Sequence, residues 1–398
     1  MKRPHVLRLC SVFEPPDAVL AHGARFDPIG GMQNHTGQLT RALAARGVRQ
    51  TVVTGRPPGA PRRDAPSPGV VVLRHGLRLR AARQLYCVGA ARSAWRHAPG
   101  LDLVHAHVGE DLAVLPLARM AAERAGAPLV ITVHTSLHHT FVAAGLRARA
   151  LKAVGGRIED WAERHCAQVI GLTPRLAERL IDGGVAAERV RVIPSGVVPA
   201  EFAGDVADPF PQVPRPRALF VGRLHRQKGI ETLIQAAAAL RGPLVVVGDG
   251  PERAAAEAAV RAAGIGDRVY FAGFRPHHAI GAIMRHADVL VVPSVYEELG
   301  TVVLEGMQAG LPIVASDTGG IPGALGDAGV LVAPGDPVAF AAGVNRVLED
   351  RDEAERLGAL ARERARAYGW DGLAERVLEV YDAALGFEPT AAELVAVA

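Results

Sequence analysis

Short apolar runs recur along the chain, separated by segments whose apolar positions fall at helical spacing. In the first half the runs cover residues 5–9, 50–54, 103–105, 129–133 and 168–171. They are rich in Val, Leu and Ile with little polar alternation, the pattern of strands buried on both faces. Segment 32–45 follows the first run, with Leu39, Ala42 and Leu43 at helical spacing and Gly47 closing it. Thr173-Pro174 opens another helix, a capping hydroxyl followed by proline at the first helical position. The second half repeats the alternation with runs at 218–222, 244–247, 269–271 and 289–292, and is wholly helical after Pro337. Such alternation predicts an α/β chain built on doubly wound parallel sheets. Between the two series, residues 199–217 carry prolines at 199, 209, 211, 214 and 216 and few apolar side chains. The expected organisation is a first domain over 1–198, a linker over 199–217, a second domain over 218–370, and a final helix and tail over 371–398.

Composition narrows the partners. A chain of 398 residues suits two domains of about 200 each, and 49% apolar residues are enough for two cores. The net charge of +4 is too weak to argue for nucleic acid. Cys10, Cys87 and Cys166 are odd in number and widely spaced, which suggests neither a disulfide framework nor a zinc ribbon. Arg8 breaks the first apolar run after two residues, so residues 5–9 read as a strand rather than a signal peptide. No apolar stretch approaches the length of a membrane span. The expectation is a soluble, cytoplasmic protein.

The densest candidate chemistry lies in residues 289–325. After a strand, a loop carries Glu297 and Glu298; Gly300 then opens a helix over 301–309 capped by Gly310, and Gly319-Gly320 forms a turn after the next strand. Backbone N–H groups around Leu299, Gly300, Thr301 and Val302 lack intrahelical partners and lie at the positive end of the helix dipole, which suits phosphate. Glu297 before the helix and Glu305 within it could accept from sugar hydroxyls, although paired carboxylates at this spacing are also common surface groups. In ALFVGRLHRQKGI a strand ends at Gly222, and Arg223 and Lys228 follow: a planar fork and a point charge able to neutralise a diphosphate. Gly30-Gly31 precedes a helix, where glycines let the backbone approach a ligand. His105 and His107 share a strand face, and His134 ends a neighbouring strand. A metal site is one reading of the histidines, but no carboxylate or Cys completes a recognisable ligand set. Asp350-Arg-Asp352 lies between helices and reads as a cap with solvent contacts.

The run VLVVPSVYEELGTVVLEGMQAGLPIVASDTGGIPGAL resembles the donor-site motif of glycosyltransferase family 4, retaining nucleotide-sugar transferases of GT-B fold. Its Glu-x7-Glu corresponds to Glu297 and Glu305. The resemblance extends to Gly-Arg-x4-Lys-Gly at Gly222, Arg223 and Lys228, to VITVHTS with His134, and to the first-domain glycine loop at Gly31. It implies two Rossmann-like domains facing a cleft, with the last helix, over 371–385, crossing back to the first. It implies catalytic roles for His134, Arg223, Lys228 and Glu297. The donor site would be completed by Gly31, Gly222, Gly248, Phe274, Leu299, Gly300, Thr301 and Glu305. Gly248 would lie near the phosphates, Phe274 near the base, Glu305 on the ribose and Glu297 on the transferred sugar. Arg223, Lys228 and the helix dipole would stabilise the departing diphosphate, with no metal or other cofactor required. Two positions depart from the family pattern: Leu299 stands where Phe is usual, and Gly323 follows Pro322 where Glu is usual. The second removes a polar group near the donor.

The acceptor is less sharply marked. The segment FDPIGGMQNHTGQLTRALAARGVRQTVVT resembles transferases of aminoglycoside-antibiotic assembly, which glycosylate an aminocyclitol. Glu14, Asp27, Glu110 and Asp111, in loops after first-domain strands, suit such a cationic acceptor. Against this stand two basic segments, one with Arg74, Arg78, Arg80, Arg83, Arg92 and Arg96, the other with Arg147, Arg149, Lys152 and Arg157. They could dock on anionic lipid or simply be solvated. The expected function is transfer of a hexose or N-acetylhexosamine from a nucleotide diphosphate sugar, UDP-linked, to a small hydroxylated acceptor. The alternatives are a peripheral-membrane transferase with a lipid acceptor and a nucleotide-sugar epimerase of the same fold.

Overall fold

The computed structural model describes residues 3–15, 31–76, 86–109, 111, 113–136, 146–204 and 206–386. Asp27, Gly30, Arg78, Arg80, Arg83 and Glu110 lie outside the described residues. The chain divides into two compact units, Met1–Pro194 with Trp370–Ala398, and Ser195–Gly369.

The first unit is built on strands β1 (His5–Cys10), β2 (Arg49–Gly55), β3 (Arg63–Asp64), β4 (Val70–His75), β5 (Leu103–Val108), β6 (Leu129–Val133), β7 (Gln168–Gly171) and β8 (Val190–Val192). Their order is β3-β4-β2-β1-β5-β6-β7-β8, parallel except for the β3–β4 edge. Both faces are covered, which is why the strands read as continuous apolar runs. Leu7 and Leu9 join one core with Val104, Ala106, Ile131 and Val133. Cys10 points to the other, with Phe13, Val52, Val70 and Val72. Arg8 shares that second face and is 1% exposed. The helix Trp370–Ala384 packs on the helix Gly31–Ala45 of this unit. Trp370 Nε1 donates to Gln38 Oε1 at 2.7 Å, and Arg46 Nε to Glu375 Oε1 at 2.6 Å. Thr173 caps Pro174–Asp182 as its sequence predicts, accepting from the Leu176 N–H.

The second unit is a parallel sheet of β9 (Ala218–Val221), β10 (Leu244–Val247), β11 (Val269–Gly273), β12 (Val289–Val292), β13 (Ile313–Ser316) and β14 (Val330–Val332), ordered β11-β10-β9-β12-β13-β14. Residues 199–217, expected to be a linker, are part of this unit. Phe202, Phe210 and Val213 are buried. The Arg217 guanidinium donates to the carbonyls of His286 (2.7 Å), Phe210 (2.7 Å) and Val213 (2.9 Å), and to Asp208 Oδ1 (2.6 Å). A buried guanidinium needs its donors satisfied, and the proline-rich chain wraps around it to supply them. The unit boundaries fall at Pro194/Ser195 and Gly369/Trp370 rather than at the expected positions. Arg74 is also buried, with Asp64 Oδ2 at 3.3 Å, and does not belong to a solvated or lipid-facing segment.

Candidate functional site

In open α/β sheets ligands bind beyond the carboxyl ends of the strands where strand order reverses. In the second unit β9 is that strand, flanked by β10 and β12. Backbone bonds align the strand ends beside it: Gly222 N–H donates to Val247 C=O at 3.0 Å, and Gly248 N–H to Gly273 C=O at 2.9 Å. Gly222, Gly248 and Phe274 are thereby brought to one edge, with Phe274 38% exposed.

The loop after β9 carries half-buried Arg223 and a one-turn helix, Arg226–Lys228. Gly229 follows with φ +69°, and a Cβ there would lie 1.8 Å from the Pro293 carbonyl oxygen. Only glycine permits that approach. Val295 N–H donates to Gln227 C=O at 2.8 Å, tying this loop to the one after β12. The result is an ion pair between Lys228 Nζ and Glu297 Oε2. Ser294 Oγ also donates to that carboxylate, at 3.4 Å. The Glu297 backbone is clamped in turn: Gly320 N–H donates to its carbonyl at 3.0 Å, and a Cβ on Gly319 would lie 1.7 Å from the same oxygen. Leu299 is buried, Gly300 caps the helix, and Thr301–Ala309 forms with Gly310 beyond it, as its sequence predicts. Glu305, on that helix and 8% exposed, meets His277, whose Nε2 is 3.0 Å from Oε1. His277 carried no sequence signal beyond a His-His pair in a loop.

The first unit holds His134, and here the sequence understates the polar cluster. The buried Arg8 guanidinium donates to Thr36 C=O at 3.3 Å, Gln50 Oε1 at 3.3 Å, Thr40 Oγ1 and His107 Nε2. Guanidinium only donates, so His107 Nε2 must be unprotonated. Its Nδ1–H then donates to His134 Nε2 at 3.1 Å, leaving the proton of His134 on Nδ1. This proton order exists only while both rings are neutral. Burial holds His107 well below the ordinary imidazole range, and burial with Arg8 pushes His134 down to about 3. His105 is bound apart from this chain, between Tyr381 OH and Thr132 Oγ1, each at 2.8 Å. His35 joins instead: His35, His107 and His134 offer ring nitrogens within 4.8 Å of one another. A metal ion there would have to displace both hydrogen bonds of His107 and sit against a guanidinium.

The remaining expected residues divide. Gly31 begins the helix Gly31–Ala45. The Glu14 carboxylate is paired with Arg41. Asp111 Oδ1 accepts from Tyr86 OH at 2.9 Å and from the N–H groups of Ala113 (2.8 Å) and Val114 (3.2 Å). Asp27 and Glu110 are outside the described residues. Asp350 caps Arg351–Ala365 by accepting from Glu353 N–H at 2.9 Å.

Two family models match this chain: Glycosyltransferase Family 4 over residues 29–201 and Glycosyl transferases group 1 over residues 207–364. The chain is 36% identical over 348 residues to a 2-deoxystreptamine glucosyltransferase of Streptomyces kanamyceticus, covering 80% of this chain and 90% of that one. It is 34% identical over 416 residues to a 2-deoxystreptamine N-acetyl-D-glucosaminyltransferase of Streptomyces fradiae, covering 96% and 97%. Among solved structures, sucrose-phosphate synthase from Thermosynechococcus elongatus matches with a TM-score of 0.81 at 27% identity, over 96% of this chain and 100% of that one. WaaG, a glycosyltransferase of lipopolysaccharide biosynthesis, matches with a TM-score of 0.72 at 19% identity, covering 94% and 99%, a likeness of fold alone. The two parallel-sheet units are those of the GT-B fold, and the chain belongs to glycosyltransferase family 4.

Proposed function

We propose that this glycosyltransferase moves a hexose or N-acetylhexosamine from a UDP-linked donor to a cationic aminocyclitol, with retention and without metal. The observation that carries the donor half is the Lys228–Glu297 pair at the switch point of the second sheet, with Glu305 on the adjoining helix. The acceptor rests on the two Streptomyces relatives, both of which act by name on 2-deoxystreptamine. Those relatives differ in the sugar they transfer, so glucosyl and N-acetylglucosaminyl donors both stay open.

In this reading the bond between the anomeric carbon and the diphosphate oxygen breaks as an acceptor hydroxyl attacks from the same face. The leaving phosphate takes the hydroxyl proton. Arg223 and Lys228 take up the charge that develops on the diphosphate, the work a metal does in other transferases. Glu297 holds the transferred sugar, and Glu305 accepts from the ribose. The test is a purified reaction of UDP-glucose or UDP-N-acetylglucosamine with 2-deoxystreptamine in excess EDTA. The expected product is one sugar heavier by mass spectrometry, with an α-linkage by NMR. Isomerised donor without acceptor, or transfer to lipid alone, would overturn the reading.

A further inference from the structure

We infer that His277 is a positioning residue for nucleotide recognition: braced by Glu201, it fixes the Glu305 carboxylate for the ribose hydroxyls of a nucleoside diphosphate. The inference rests on the reading of Glu305 as the ribose ligand. His277 lies between two carboxylates, with Nε2 3.0 Å from Glu305 Oε1 and Nδ1 3.4 Å from Glu201 Oε2. Carboxylates only accept, so Nε2 carries a proton and donates to Oε1. Glu305 Oε2 is left as the acceptor for a hydroxyl, in a rotamer the imidazole sets. The side chains of Glu305, His277 and Glu201 are 10%, 20% and 28% accessible, so this bond is shielded but reachable.

The bracing is built into the backbone. Glu201 sits in the turn Pro199–Phe202, whose Phe202 is buried. A Cβ on Gly281 would lie 2.0 Å from the Glu201 carbonyl oxygen, so that turn lies directly on the helix Ile280–Arg285. His277 belongs to the turn His277–Ala279 that leads into the same helix. The helix Thr301–Ala309 packs against both the turn of Glu201 and the helix Ile280–Arg285. One packed corner therefore holds all three side chains, and it uses the segment whose prolines suggest only a linker. Preorganising an acceptor this way spares a ligand the cost of ordering it.

Calorimetry on the full chain, with UDP and 2′,3′-dideoxy-UDP as the paired probes, tests this. Wild type is expected to prefer UDP. His277→Leu should weaken UDP roughly tenfold and the dideoxy analogue by less than about twofold, because the coupling runs through the ribose. His277→Gln, which keeps an N–H donor, should recover most of the loss, and Glu201→Gln should show a smaller loss confined to UDP. Equal weakening of both probes by His277→Leu, or of neither, overturns the inference. Glu305→Gln separates the two levels. If its loss is confined to UDP while His277→Leu is silent, only the role of His277 falls. If its loss does not depend on the ribose hydroxyls, the reading of Glu305 has failed and His277 falls with it.

Discussion

Glu297 and Glu305 share a motif but not a set of partners, and their partners separate what each does. Lys228 neutralises Glu297, whereas His277 donates to Glu305. Truncating Glu305 to Ala should weaken nucleoside diphosphate binding by ~1.5–3 kcal/mol, the worth of a charge-assisted bond. Truncating Glu297 to Ala should not weaken it, because Lys228 is then released toward the diphosphate, yet turnover should collapse as the sugar loses its anchor. Calorimetry and steady-state kinetics on the two variants decide this, and equal affinity losses would mean that the helix is misassigned relative to the donor. Lys228→Ala should cut turnover by roughly a hundredfold or more, about 3 kcal/mol of charge stabilisation, with little change in melting. Near-normal turnover would remove Lys228 from the diphosphate. These residues were legible because their motifs are local in sequence. Arg8, His35, His277 and Glu201 were not, because each owes its place to partners far along the chain. In the sequence Arg8 reads only as a break in an apolar run, although folding buries it among neutral acceptors.

The elements carry the same lesson at a longer range. The strands at 129–133, 244–247 and 289–292 and the helix at 301–309 were readable to within a residue, since buried parallel strands and glycine-capped helices have strong local signatures. The Gly319-Gly320 turn was readable as a turn, but not as the clamp on Glu297. That clamp predicts an asymmetry between two glycines with φ > 0. At Gly319, φ is +59° and a Cβ would overlap the Glu297 carbonyl oxygen at 1.7 Å. At Gly335, φ is +78° and nothing lies within 4 Å. Gly335→Ala should therefore cost only the backbone term, ~1–2 kcal/mol, with turnover intact. Gly319→Ala must also displace Glu297 and should lower both melting temperature and turnover. Parallel melts and rate measurements test this; indistinguishable variants would show that the loop yields without moving the carboxylate. Arg217 explains why residues 199–217 were misread. Prolines marked 199–217 as a spacer, but the guanidinium gathers its carbonyls into the second unit.

At the scale of the molecule, the two-unit α/β plan and the return of the last helix to the first unit follow from alternation and resemblance, whereas the uneven distribution of buried histidine does not. His35, His105, His107 and His134 all lie in the first unit and are buried. Burial, the leading cause in each, holds them below the ordinary imidazole range, His134 down to about 3. The sign follows from linkage. The unfolded chain binds protons as pH falls below ~6.5 while these native rings stay neutral, so their contribution is complete above that pH and is lost below it. Each ring costs up to ~1.4 kcal/mol per pH unit until its own native titration is reached. The chain supplies a selective probe, because its three tryptophans, Trp95, Trp161 and Trp370, all belong to the first unit. Trp370 lies 5.0 Å from His35 between ring centroids. The urea midpoint followed by tryptophan fluorescence should drop steeply between pH 7.5 and pH 5. Replacing His35 by Gln should flatten that dependence by about one proton. A midpoint unchanged over this range would mean that the imidazoles are charged in the native unit, and the Arg8–His107–His134 proton order would then be wrong.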